Sequence, residues 1–348
     1  MASAIYLPTL KWMQAEKDTL LNLAGSVKAN LLPLLELRKS ERVPNFLTEW
    51  QRYWQRPALF DCATVEGELT EVREAALLHV MQNIGPHTAL LGPVVNPERI
   101  KHLPAPLLAL LRAHQGPMAV RLRIKAMLTS QQEEAAFSAC AGLNRVPAVM
   151  TLVVDMCETP QLTDTEQKAL VAALQRLQQQ GWQQVYLLSG AYPIDSRQMR
   201  VGRNEVMRTD WQLWQTFVQT QGLTNVHYGD YGIVSPKWDE EDAIRRGKIN
   251  YRYATSKHWI VYRSDADGGT AGNELAQLLT LESDFRGAAF SWGDDRIAQR
   301  ADNTSGKFKL GCGNKTQHIA EGMNHHLTQV VDQLLPTSGS TGSGAPAL

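Results

Sequence analysis

Charged residues close several short apolar runs of this chain: Lys11 after AIYLPTL, Glu36 and Arg38 in LLPLLELR, Asp61 in PALFDCA, Arg121 and Arg123 in MAVRLRI, Asp155 in VMTLVVDM, and Asp230 with Tyr231 in HYGDYG. If the runs are strands, side chains two apart share a face. Leu32, Leu34, Glu36 and Arg38 are then in phase, as are Ala119, Arg121 and Arg123, and Val149, Thr151, Val153 and Asp155; Asp230 is in phase with Tyr228. Should these phases point inward in a closed sheet, Lys11, Glu36, Asp61, Arg121, Arg123, Asp155 and Asp230 meet at one mouth. Charges in so small a volume must be paired, because an unpaired buried ion costs several kcal/mol. Two arrangements meet that demand. In one, the groups neutralise each other as an ion network that fixes strand register. In the other, carboxylates from separate strands hold a hard cation such as Mg2+ while arginines clamp a phosphorylated or nucleotide ligand, with Asp155 or Asp230 as a ligand or general base.

Other familiar chemistries are missing from the pattern. No HExxH, HxH or HxD spacing occurs among the histidines, and His325 and His326, adjacent on a helical segment, point about 100° apart. There is no GxSxG elbow, and no GxGxxG or Walker loop follows any apolar run. Glycines flanking Asp230 and Tyr231 would let the backbone pass close to something at a strand end. Cys62, Cys140, Cys157 and Cys312 stand at no metal or redox spacing and read as reduced, buried residues. The stripes Trp211, Trp214, Phe217, Val218 and Trp50, Tyr53, Trp54 read as packing against a core.

The elements that must position these groups are eight apolar runs: 4–12, 31–38, 57–63, 88–95, 118–124, 149–156, 184–190 and 226–234. Between them lie amphipathic segments such as EVREAALLHVM, QQEEAAFSACAGL, EQKALVAALQRLQQQ and NEVMRTDWQLWQTFVQ, apolar at helical intervals. Thr163 with Glu166 and Ser130 with Glu133 have capping-box spacing. Eight strands alternating with helices match a closed (β/α)8 TIM-like barrel, and an open doubly wound α/β sheet is the alternative. The runs are apolar on both faces until their last residues, which favours the barrel.

The expectation is one domain over 1–335, with a barrel core over about 4–235 and an extension of strands and helices over about 236–335. That extension includes YRYATSKHWIVYRS (251–264), an aromatic segment RGAAFSWGD (286–294), and helices in NELAQLLTLES and EGMNHHLTQVVDQLL. The tail 336–348, PTSGSTGSGAPAL, has too few apolar residues to order itself. With 35 basic and 35 acidic residues the chain lacks the charge of a broad nucleic-acid surface. No apolar stretch reaches membrane-spanning length and no leader pattern opens the chain, so a cytoplasmic location is expected.

The ordered set YLPTLKWMQAE, LLPLLELR, VVDM, GDYG, YRYATSKHWIVYRS, FSWGDDRIAQ and GMNHHLTQVV resembles the phage beta protein family from Tyr6 to about Val331. The resemblance implies a barrel-like protein encoded beside a killer protein, Gop, in an anti-phage, toxin-antitoxin-like module of prophages and satellite phages, with beta restraining the killer. It assigns no chemistry. The family-like positions Lys11, Glu16, Glu36, Asp155, Gly229, Asp230, Tyr231, Trp259, Arg263, Gly293, Asp294 and His326 are site candidates, with Arg121, Arg123 and Asp61 added from strand phase.

Overall fold

The computed structural model describes residues 4–64, 67–193, 199–221, 223, 225–237, 248–266 and 268–335. The chain runs β1 (Tyr6–Lys11), α1 (Gln14–Asn22), α2 (Gly25–Lys28), β2 (Leu34–Glu36), α3 (Phe46–Tyr53), β3 (Ala58–Asp61), α4 (Glu71–Asn83), β4 (Leu91–Val95), α5 (Ala105–Ala113), β5 (Ala119–Arg123), α6 (Ser130–Gly142), β6 (Thr151–Glu158), α7 (Asp164–Gln179) and β7 (Gln184–Gly190). It continues with β8 (Gly202–Met207), α8 (Thr209–Gln221), β9 (Val226–Asp230), β10 (Asn250–Ala254), β11 (His258–Arg263), α9 (Ala271–Thr280), α10 (Trp292–Ala301) and α11 (Lys315–Leu334). Strands β1 to β7 and β9 close in that order into an all-parallel barrel, so the expected (β/α)8 architecture is the one observed.

Burial on both faces of these strands divides the apolar residues into layers. Leu7, Leu34, Leu59, Val94, Ala119, Val153, Tyr186 and Leu188 fill the barrel interior. The alternate residues, among them Tyr6, Leu35, Phe60, Val120, Leu152 and Tyr228, pack outward with the helices. Trp50, Trp54, Trp211 and Phe217 belong to that outer layer, as packing residues should. A third layer joins a small antiparallel sheet, in the order β10-β11-β8, to α9 and α10 through Tyr251, Tyr253, Ile260, Leu275, Leu279 and Ile297. Helix α11 then returns to lie against α1 and β1, and its Leu327, Val330 and Val331 join the outer barrel layer. The chain beyond the last barrel strand therefore covers the wall as well as extending it.

Three local expectations change. The segment NEVMRTDWQLWQTFVQ is not one helix: residues 204–207 belong to β8, which pairs with β11, and the helix begins at Thr209. Pairing with a distant strand overrides a local pattern that suits either state. RGAAFSWGD contains no strand, because Ser291 accepts the Asp294 amide at 3.1 Å and starts α10. The capping box of α6 is Thr129 with Gln132, one residue before the expected pair, whereas Thr163 and Glu166 cap α7 as read. The tail 336–348 lies outside the described residues. Cys62 and Cys140 are buried, but Cys157 and Cys312 are only partly so; none is paired. Among the described residues no helix is long and apolar enough to cross a membrane.

Candidate functional site

The inward phase of the barrel strands brings Lys11, Glu36, Asp61, Arg121, Arg123 and Asp155 to the carboxyl-terminal mouth, with Arg121 as the hub. Its Nε donates to Asp155 Oδ2 at 2.9 Å, Nη1 to Asp61 Oδ2 at 2.7 Å and Glu36 Oε1 at 3.1 Å, and Nη2 to the Tyr231 hydroxyl at 2.8 Å. Tyr231 passes its own proton toward Asp155 at 2.9 Å. The remaining carboxylate oxygens are also occupied. Asp61 Oδ1 accepts the Ala63 amide and Asp155 Oδ1 the Cys157 amide, each at 2.8 Å, and Glu36 Oε2 accepts from Arg38 at 2.5 Å. Cys157 reaches back through a left-handed backbone, φ 58°, at the irregularity between Asp155 and Glu158. Arg123 adds a longer bond to Asp61 at 3.4 Å.

The segment after β9 closes over this hub. Lys11 Nζ donates to the Ser235 carbonyl at 2.6 Å, Arg38 to the Pro236 carbonyl at 3.0 Å and Arg252 to the Ile233 carbonyl at 2.7 Å. Arg121 is 1% exposed and Asp155 0%. Burial alone would raise the Glu36 carboxyl, but Arg38, Arg121, Lys11 and Arg123 together hold it down to about 2. Burial and then Asp155 push the Tyr231 phenol well above its ordinary value. Two clefts flank the hub. One is lined by Lys11, Trp12, Glu36 and Arg38 among others, the second by Asp61, Asn96, Arg99 and Arg123 among others, with cavity volumes of about 10 and 20 Å3. Each has room for about one water molecule.

These residues do not fit a Mg2+ ion. A hard cation needs several carboxylate oxygens converging on one point, whereas here a guanidinium already stands among Glu36, Asp61 and Asp155 and donates a bond to each. Among the described residues no group of His, Cys, Asp or Glu is arranged to hold a metal ion.

Asp230 does not join the mouth. In β9 it is Gly229 and Tyr231 that share the inward phase, while Tyr228 and Asp230 face the helical layer. The HYGDYG segment carries an aromatic and a polar residue in both phases, so its direction was not readable without its neighbours. Asp230 accepts from the Tyr6 hydroxyl at 2.6 Å and the Gly232 amide at 2.9 Å, and pairs with His326 Nε2 at 2.8 Å. Trp259 stacks on His326 at 6.1 Å. Asp294 belongs to a separate buried group with His325, at 2.8 Å, and Tyr253, also at 2.8 Å. Arg263 lies at the outer sheet and donates to the Met199 carbonyl at 2.6 Å. Gly229 stands where a Cβ would come 3.1 Å from the Leu7 carbonyl oxygen, so it serves close strand packing. Sequence reasoning missed Arg208 and Asp210, which sit beside Asp230, because they precede and open a helix whose start was misplaced.

Glu16, in α1, is 3% exposed and its Oε2 has no partner. Burial pushes its carboxyl up to about 7 against a backbone hydrogen bond and the charges of Lys11, Arg42 and Lys17. A folded value above the unfolded one means that stability is fully present below about 4.5 and is lost as pH rises to about 7. Glu16→Gln should therefore raise the urea midpoint at pH 8, with the gain vanishing near pH 4.5. A gain independent of pH would show that Glu16 is not the titrating group.

Three comparisons bear on identity. No curated protein sequence matches the chain. Among solved structures, a chitinase from Chromobacterium violaceum is similar at 10% identity over 80% of this chain and 90% of that chain, with a TM-score of 0.30, too low to carry an argument. The model of the family described as Beta protein matches residues 6–332, which takes in the barrel, the small sheet and most of α11. The chain belongs to the Beta protein family.

Proposed function

We propose that this protein restrains a phage-encoded, Gop-like killer protein by binding it in the cytoplasm, as the protective component of an anti-phage module. The observation that carries this reading is the state of the barrel mouth. Arg121 spends its donors on Glu36, Asp61, Asp155 and Tyr231, and the segment 231–237 is bonded across them. Catalysis on a phosphorylated ligand needs convergent polar groups that are open to substrate, and those here are committed to one another. Fold alone licenses no activity. Membership of the Beta protein family supports the assignment to such a module.

Coexpression with the killer encoded beside it tests the reading. The two proteins should copurify at micromolar concentration, and Asp155→Asn, if its circular dichroism matches the parent, should still protect cells. Failure to copurify, together with loss of protection in a folded Asp155→Asn protein, would replace binding by chemistry at the mouth.

A further inference from the structure

A second polar region lies on the outer side of the barrel wall, away from the mouth. It is formed by Arg208 and Asp210 at the start of α8, Tyr228 and Asp230 of β9, Trp259 of β11 and His326 of α11. All six are at most 1% exposed. The Arg208 guanidinium carbon is 5.2 Å from the Trp211 ring and 5.9 Å from the Trp259 ring, and the Tyr228 hydroxyl donates to Asp210 Oδ2 at 3.1 Å. Arg208 Nη1 is satisfied by the Thr255 carbonyl and Gln333 Oε1, both at 2.8 Å.

Five buried atoms of this region nevertheless have no protein partner: Arg208 Nε and Nη2, Asp210 Oδ1, Trp259 Nε1 and His326 Nδ1. Buried polar groups are rarely left unsatisfied, and here the orphans come from four neighbouring side chains, with Arg208 over the Trp259 ring and that ring stacked on His326. Their roles can be assigned. Asp230 accepts from His326 Nε2, so that nitrogen carries the proton and Nδ1 of the neutral ring is an acceptor. Arg208 Nε, Arg208 Nη2 and Trp259 Nε1 are donors, and Asp210 Oδ1 is a second acceptor. A guest must therefore accept from the guanidinium and indole while donating to the carboxylate and imidazole. A fully deprotonated oxyanion can only accept, and any anion would lie beside Asp210 and Asp230. A metal cation would face the N–H groups of Arg208 and Trp259. Water does both.

We infer that this region is a built hydration site, in which ordered water bridges Arg208 and Trp259 to Asp210 and His326 and so ties α8, β11 and α11 to the barrel wall. A buried water typically makes about three such bonds, which this set of partners provides.

A high-resolution crystal structure of the full chain tests the inference. Water density within hydrogen-bonding distance of Arg208 Nη2 or Nε and of Asp210 Oδ1 is expected; a dry gap, or a planar or tetrahedral anion there, overturns it. In solution, protein labelled with 15N-tryptophan should show a dipolar cross-peak between water and the indole proton of Trp259, assigned by its disappearance in Trp259→Phe. No cross-peak at that fully buried proton counts against the site. If the variant does not fold, the crystallographic result decides.

Discussion

Arg121→Met should cost about 3–5 kcal/mol of folding stability, the usual penalty for removing one partner from a buried ion pair. The loss falls at the high end because one guanidinium serves three carboxylates, Glu36, Asp61 and Asp155, whose side chains are 5%, 6% and 0% exposed. Without it, Asp61 keeps a backbone amide and Asp155 a backbone amide and the Tyr231 hydroxyl, and Arg123, at 3.4 Å and 3.7 Å, cannot replace bonds from three directions. Lysine would not rescue the site, since a single ammonium lacks the fork that reaches Asp155 through Nε and Asp61 through Nη1. The informative control neutralises the acceptors: Arg121→Met combined with Glu36→Gln and Asp155→Asn should recover much of the loss, because the cost arises mainly from stranded charge rather than from lost attraction. Urea denaturation of the single and triple variants measures both. A loss below about 1 kcal/mol for Arg121→Met would mean that the carboxylates find water or other partners, and that the mouth opens readily.

How much of this arrangement could be read from sequence depended on whether one element fixed the direction of another. In β2, β5 and β6 the inward phase is marked by a charge at the end of an apolar run, so Glu36, Arg121 and Asp155 could be placed together from parity alone. Their common height follows from register, with Glu36 beside Asp61 and Arg123 beside Asp155. Asp230 could not be placed, because residues 227–232 alternate two equally mixed faces and only pairing with β1 and β7 sets the phase. Strand β8 was hidden for a related reason: its partner β11 lies about fifty residues later, and none of its residues is fully buried. The closure of the mouth was also invisible. Lys11, Arg38 and Arg252 bond backbone carbonyls of 233–236, and a carbonyl acceptor leaves no trace in side-chain identity. Capping boxes fared better because both partners are local in the chain, although in α6 the cap falls on Thr129, one residue before the expected Ser130.

Gly293→Ala should destabilise the protein by about 1–3 kcal/mol, the range for forcing a methyl group into a packed contact. Gly293 opens α10, where an added Cβ would stand 2.1 Å from the Glu321 carbonyl oxygen and 3.1 Å from the His325 amide nitrogen, both backbone atoms of α11. Backbone cannot rotate aside as a side-chain tip would, so the two helices must separate. Separation strains what surrounds the crossing: the Gly293 amide donates to Asn324 at 3.0 Å, the Asp294 carboxylate holds His325 at 2.8 Å, and Arg300 pairs with Glu321 at 2.7 Å. Opposing this, alanine is the better helix former by about 0.5–1 kcal/mol, which offsets part of the loss. Gly25→Ala isolates that second effect, since a Cβ on Gly25 meets nothing within 4 Å. The two substitutions should thus move the denaturation midpoint in opposite directions. A neutral or stabilising Gly293→Ala would mean that α10 and α11 can part without cost, and that the glycine at this position serves something other than the helix crossing.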